Sequence, residues 1–302
     1  MTEKKTWNFG ERANYAVMWQ IVKPKAVLQI VHGMVEHIER YDEFARFANN
    51  AGYLVVGHDH VGHGETVKVP EDYGAFPKNW QDLITDVHTL QREVSKKYPD
   101  IPYIILGHSM GSFITRLYLA KYGRDVDAAI VMGTGQQPRV QTWTAIGLTR
   151  ILRAIHGEKY RSKFLEQMST GMFNRSFSPN RTKADWLSRD EAEVDKYLAH
   201  EHHQFTPTLN MYHSLFTFSN YAASLKFIKQ IPHSLPLLLI SGATDPVGKA
   251  GKGVKRFYKL LQREGFSDVT LKLYPVARHE ILNELNKNEV MRDLVAWMDD
   301  NI

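Results

Sequence analysis

Short apolar runs alternate with amphipathic stretches along most of the 302 residues, each reading as one strand or one helix. Residues 7–9 and 15–22 predict an opening pair of strands, followed by a turn at Lys23-Pro24-Lys25. Residues 26–31 are apolar except at Gln29, as expected of a central strand covered on both faces. Similar runs return at 53–56, 103–106, 128–132, 235–241 and 269–274. Helical spacing fills the gaps. Phe44, Phe47, Ala48 and Ala51 stop at Gly52, and Leu83, Val87, Leu90 and Val94 precede Pro99. Ile114, Leu117, Tyr118 and Lys121 end at Gly123, Val254, Phe257, Tyr258 and Leu261 at Gly265, and Val290, Leu294 and Trp297 close the chain. This alternation predicts a mostly parallel, doubly wound α/β sheet.

From about Gln136 to Ser224 the alternation stops. Trp143, Ile146, Leu148, Ile151, Leu152 and Ile155 predict a helix with one apolar face, and residues 180–186 a loop into another helix. Eleven Lys and Arg stand here against eight Asp and Glu, so +3 of the chain's net +5 lies in this segment. It reads as a helical cap, residues 136–224, inserted over the strand ends of a core domain made of 1–135 and 225–302. Its aromatic and cationic side chains suit transient contact with a membrane surface. His200, His202 and His203 are read as a solvated helix end rather than as metal ligands.

With 43% hydrophobic residues the chain can bury one large α/β core plus an insertion. No apolar run reaches membrane-spanning length, and Met-Thr-Glu-Lys-Lys-Thr-Trp lacks the apolar centre of a secretion signal. A cytoplasmic protein, at most peripheral at membranes, is the expectation. Cysteine is absent, which removes disulfides, thiolate metal sites and a cysteine nucleophile. Despite a pI near 9.1, Lys and Arg never run beyond two in a row, so no nucleic-acid partner is expected. The oligomeric state is not legible.

The strand at 103–106 leads directly into Gly107-His108-Ser109-Met110-Gly111, a G-x-S-x-G pentapeptide ahead of a helix. A strand turning so sharply into a helix strains its middle residue, and the flanking glycines let the two backbones pass. The Ser109 hydroxyl is thereby presented at a helix amino end, where developing negative charge is favoured. His32-Gly33-Met34-Val35-Glu36-His37 follows an earlier strand, and Gly33 frees the Met34 N–H either as an oxyanion donor or as part of an ordinary turn. Asp245 ends a later strand in Gly242-Ala243-Thr244-Asp245-Pro246, and His279 follows the last strand. Ser109, Asp245 and His279 thus lie beyond the carboxyl ends of three strands. A neutral imidazole takes the proton of a serine, and a carboxylate fixes its tautomer, so this set points to acyl transfer. The Met34 and Met110 amides are the candidate oxyanion donors. His58-Asp59-His60-Val61-Gly62-His63-Gly64 matches no helical zinc spacing and reads as a tight turn, and Gly248-Lys249-Ala250-Gly251-Lys252-Gly253 lacks the phosphate-loop pattern. Neither a metal nor a nucleotide cofactor is expected.

The segments His32 to Tyr41, His58 to Gly64, Gly107 to Gly111, Asp245-Pro246 and Arg278-His279-Glu280 together resemble the monoacylglycerol lipase and lysophospholipase branch of the α/β hydrolases, a group also described as serine aminopeptidase-like. The resemblance covers nearly the whole chain. It implies the α/β-hydrolase fold with an eight-stranded, mostly parallel sheet, a helical cap after the sixth strand that meets membranes or micelles, the same triad and oxyanion donors, and no cofactor. It also places Glu36 and Arg40 near the polar head of the substrate, although their spacing equally fits a helix-surface salt bridge. Family members carry small residues where this chain has Met34 and Val35, which implies a narrower pocket near the oxyanion. The expected substrates are monoacylglycerols, lysophospholipids or related single-chain esters. The alternatives are a small-ester carboxylesterase, an aminopeptidase or amidase using Glu191, Glu193 or Asp195 to hold an amino group, and a non-catalytic ligand receptor.

Overall fold

Successive side chains of a strand point to opposite faces, so a strand covered on both faces must be apolar at every position. In β3 (Ala26–Val31) Val27 and Val31 enter one core, and Ala26, Leu28 and Ile30 the other. Strand β5 (Tyr103–His108) divides likewise, Tyr103 and Ile105 against Ile104 and Leu106. Gln29 interrupts the run at no loss, because its amide donates to the Val87 carbonyl at 3.0 Å and its oxygen accepts from the Tyr103 hydroxyl.

The computed structural model describes residues 2–302. With β1 (Glu3–Phe9), β2 (Asn14–Gln20), β4 (Tyr53–His58), β6 (Ala128–Met132), β7 (Leu237–Gly242) and β8 (Val269–Tyr274), these strands form one eight-stranded sheet in the order β1-β2-β4-β3-β5-β6-β7-β8. Strand β2 is antiparallel to both neighbours, and every other pair is parallel. This is the sheet that the resemblance implies. Strand β1 starts earlier than its apolar run, at Glu3, because a backbone ladder with β2 holds it while its first residues stay exposed. Strand β2 stops at Gln20, and Val22 is left exposed in the turn.

Helix α1 (Asp42–Asn50) and the closing helix Lys287–Asp300 cover one face through Phe44, Ala48, Val290 and Leu294. On the other lie α2 (Gln81–Lys97), α3 (Met110–Tyr122) and the helix Lys252–Arg263, burying Leu83, Val87, Leu117, Val254 and Phe257. Between β6 and β7 the chain leaves the sheet. There α4 (Arg139–His156) packs along the helix Leu209–Ala222, and Leu165, Leu209 and Tyr212 cluster with Leu148, Leu152 and Phe216. Met211, Phe218 and Ala222 of the second helix reach the main core and anchor the insertion. The single apolar face expected of α4 is corrected: Ile146 is buried, but Trp143, Ile151 and Ile155 are 51%, 61% and 66% exposed. Among the described residues no helix is long and apolar enough to cross a membrane.

Candidate active site

Ser109 connects β5 to α3 with φ of 51° and ψ of −118°. Such a conformation costs a side-chain-bearing residue roughly 1–3 kcal/mol. Burial of Met110, Ile114 and Leu117 on α3, worth about 1.5–3 kcal/mol each, outweighs that strain and holds the turn. A side chain at Gly111 would overlap the Val31 carbonyl, so this glycine sets how closely α3 approaches β3. The Ser109 amide donates to the Met132 carbonyl at 3.0 Å, fixing the turn to β6 as well.

Asp245 and His279 come together beyond β7 and β8, with His279 Nδ1 3.0 Å from Asp245 Oδ1 and both residues buried. The carboxylate also accepts from Val247 N at 2.9 Å and from the Ser241 hydroxyl at 3.1 Å. Those bonds fix its plane, which favours the His279 tautomer with its proton on Nδ1 and the lone pair on Nε2. Ser109 and His279 line one cavity, and no hydrogen bond joins them among the described residues. Such bonds often close only around a substrate.

The loop after β3 runs against Ser109. A side-chain carbon on Gly33 would lie 3.1 Å from Ser109 Cβ and 2.5 Å from Glu36 Oε1, so the loop packs closely on Ser109, and Met34 lines the same cavity as Ser109. Val35 follows with φ of 56°. His32 pins this loop from behind, with Nδ1 2.7 Å from the Gly33 carbonyl and Nε2 accepting from His60 N at 3.0 Å. Asp59 holds it from below by accepting from Ile38 N and Glu65 N at 2.7 and 2.8 Å. The residues 58–64 therefore brace the loop after β3.

Behind Ser109 lies a buried charge network that the sequence reading missed in part. Glu36 Oε1 accepts from the Gly33 amide and the Tyr41 hydroxyl and lies 2.9 Å from His108 Nδ1, while Oε2 lies 3.2 Å from Arg40 Nη1. Arg40 in turn grips Glu280 with two bonds of 2.6 and 2.7 Å. The salt bridge that the spacing of Glu36 and Arg40 allows does form, but it is largely buried and not on a helix surface, because the loop folds under Glu280 and His108. Burial opposes charge on His108, yet the Glu36 carboxylate raises its pKa. Glu280 is likewise opposed by burial but held down to about 2 by Arg40. His108 and Glu280 are immediate sequence neighbours of Ser109 and His279, the only signal that pointed to them.

A cavity of ≈ 890 Å³ opens over this site, walled by Leu148, Leu165, Phe173, Trp186, Leu215 and Phe216 among others from the insertion. That volume is in the range of ligand pockets. Trp186 lies 4.9 Å from the His279 ring, and Glu280 N donates to the Leu187 carbonyl at 2.7 Å. Arg189 pairs with the buried Glu284 at 2.8 Å, so the insertion is stitched to the histidine loop at several points. Nothing local in the sequence marks Trp186 or Glu284. The solvated end expected at His200, His202 and His203 is also corrected, since His203 is buried against His37 and Tyr197.

Residues 22–286 match the family described as serine aminopeptidase, S33. The chain is 28% identical to the monoglyceride lipase of Rattus norvegicus over 289 residues, 92% of this chain and 84% of that protein. It is 29% identical to the monoacylglycerol lipase of Mycolicibacterium smegmatis over 301 residues, 96% of this chain and 93% of that one. Among solved structures, a thermostable carboxyl esterase from Bacillus coagulans in complex with glycerol superposes with a TM-score of 0.92 at 28% identity, covering 100% of this chain and 99% of that chain. The chain belongs to the serine aminopeptidase, S33 family and is a hydrolase with the α/β-hydrolase fold.

Proposed function

We propose that the protein is a serine carboxylic ester hydrolase of monoacylglycerols and related single-chain esters, working through Ser109, His279 and Asp245. The observation that carries this reading is the largely apolar cavity with Ser109 and His279 in its wall. Ser109 Oγ adds to the ester carbonyl while His279 Nε2 takes its proton, and the Met34 and Met110 amides bind the oxyanion. Collapse passes that proton to the departing alcohol and leaves the acyl group on Ser109. A water deprotonated by His279 then releases the acid. Residues 136–224 act as the cap that encloses the acyl chain, over a core of 1–135 and 225–302. Glu36 and Arg40 hold the oxyanion loop rather than a substrate head group, since their polar atoms are engaged with Gly33, His108 and Glu280. The names of the relatives, lipases and an esterase, support the bond type.

Turnover of p-nitrophenyl esters from acetyl to palmitoyl tests the reading. Each added methylene buried in the cavity is worth about 0.8 kcal/mol, so kcat/KM should climb about fourfold per carbon until the wall is filled. Activity confined to acetyl and butyryl esters would move the protein to small-ester hydrolysis. A second reading, aminopeptidase activity, has one observation in its favour. Glu166 lies on the cavity wall, whereas Glu191 and Asp195 pair with Arg181 and Glu193 pairs with Lys287. Faster turnover of aminoacyl anilides than of esters would establish it.

The exposed Trp143, Ile151, Ile155 and Phe164, with Arg150 and Lys163 exposed among them, support docking of the cap on anionic lipid. Sedimentation with anionic vesicles should recover most of the protein, and Ile151→Asp with Ile155→Asp should release it. Equal recovery with purely zwitterionic vesicles would refute the charge contribution.

A further inference from the structure

Two segments far apart in sequence place three imidazoles against one another. His37 comes from the loop after β3, His200 from the end of the insertion helix Glu191–Ala199, and His203 from the 3-10 turn Glu201–His203 that follows it. One ligand nitrogen from each lies within 4.8 Å of the other two. His37 Nδ1 and His203 Nε2 are 3.0 Å apart. We propose that His37, His200 and His203 form a binding site for a divalent transition ion of the zinc type, which clasps the insertion to the oxyanion loop.

The chemistry of the three residues suits such an ion. His203 Nδ1 donates to the Tyr197 carbonyl at 2.9 Å, which directs the lone pair of Nε2 at His37. A backbone carbonyl bound to the second nitrogen is the usual way a protein orients a histidine ligand. Nitrogens around four-coordinate zinc stand about 3.3 Å apart, given bonds of about 2.0–2.1 Å. His37 and His203 need only part slightly to meet that spacing. His200 supplies the larger adjustment; it is half-buried at the end of its helix, and its Nδ1 accepts from His202 N at 3.3 Å, which leaves Nε2 to ligate. An all-imidazole set selects zinc, copper or nickel over magnesium and calcium, which take oxygen donors. His202 stands outside the set, its ring nitrogens lying 2.6 Å from the Tyr73 hydroxyl and 3.0 Å from Glu65 Oε1. The nearby cation, Arg40, is already offset by Glu280 and Glu36.

The position gives the ion something to control. Tyr197, Leu198 and His203 form part of the cavity wall, as do Met34, Val35 and Glu36 on the other side of the clasp. Binding therefore joins two walls of one cavity without entering the chemistry at Ser109, and holds the insertion down.

Zinc chloride titrated into the chelator-treated, full-length protein, followed by calorimetry and by competition with a chromophoric chelator, tests the proposal. One equivalent should bind with micromolar or tighter affinity. At a hundredfold excess over Kd the melting temperature should rise by about 4 °C for a chain of 302 residues. Magnesium chloride should do neither. His200→Ala, at a half-buried position, should fold normally and weaken zinc binding about 100-fold, and cobalt(II) should give the visible spectrum of a four-coordinate site in wild type alone. An absence of saturable zinc binding in the wild-type protein, or unchanged affinity in His200→Ala, would overturn the site and leave the three rings as packing.

Discussion

Ser109→Ala is expected to lower kcat for ester hydrolysis by about 10⁵- to 10⁶-fold while leaving the melting temperature nearly unchanged. The fold should tolerate the change because alanine keeps the Cβ, and the turn is held by α3 packing and by the bond from the residue 109 amide to Met132. His279→Ala should cost as much, since an unassisted serine is a weak nucleophile. The double variant should be hardly worse than either single one, because the two side chains act in one proton transfer. Asp245→Asn should cost about 10⁴-fold by turning His279 into the wrong tautomer. A fluorophosphonate probe should label the wild type and fail on Ser109→Ala. Retention of more than about 1% of wild-type kcat in that variant would place the nucleophile elsewhere.

Glu280→Gln should destabilise the protein by about 3–5 kcal/mol, because it leaves the buried Arg40 guanidinium facing a neutral amide. Burial by itself would raise the pKa of Glu280, but Arg40 and its two hydrogen bonds bring it from an ordinary 4.5 to about 2. A carboxylate lowered in the folded state binds fewer protons there than in the unfolded chain. Its stabilisation is therefore complete above about pH 4.5 and is lost as pH falls toward 2. Urea denaturation of the wild type at a series of pH values should show stability dropping through that window, and Glu280→Gln should flatten the drop. Activity should fall too, because the Glu280 carboxylate holds Arg40, which in turn pairs with Glu36 in the loop beside Ser109. A variant within about 0.5 kcal/mol of wild type would mean that Glu36 alone neutralises Arg40.

Local order was readable because it rests on neighbours in the chain. The runs at 26–31 and 103–106 are apolar at every position but Gln29, and only a strand with both faces covered needs that. The turn at Ser109 was marked by its flanking glycines, and the loops bearing Asp245 and His279 by the strands that deliver them. The bond between Asp245 and His279 follows from those strand ends lying side by side in the sheet. Less visible were the limits of β1 and β2, which are set by a backbone ladder indifferent to side-chain polarity.

The sequence by itself determined the alternation of strands and helices, the nucleophile turn and the membership in a hydrolase family, since each is written in residues close together. Tertiary structure alone decided which distant side chains meet. Arg40 joins Glu280 across 240 positions, and His37 joins His203 across 166. Neither spacing has a period, and each pair exists only because the loop after β3, the His279 loop and the insertion converge on one cavity. The apolar side chains of α4 divide in the same way: its 3.6-residue period is local, but whether Ile146 or Ile151 is buried depends on where the helix Leu209–Ala222 lies against it.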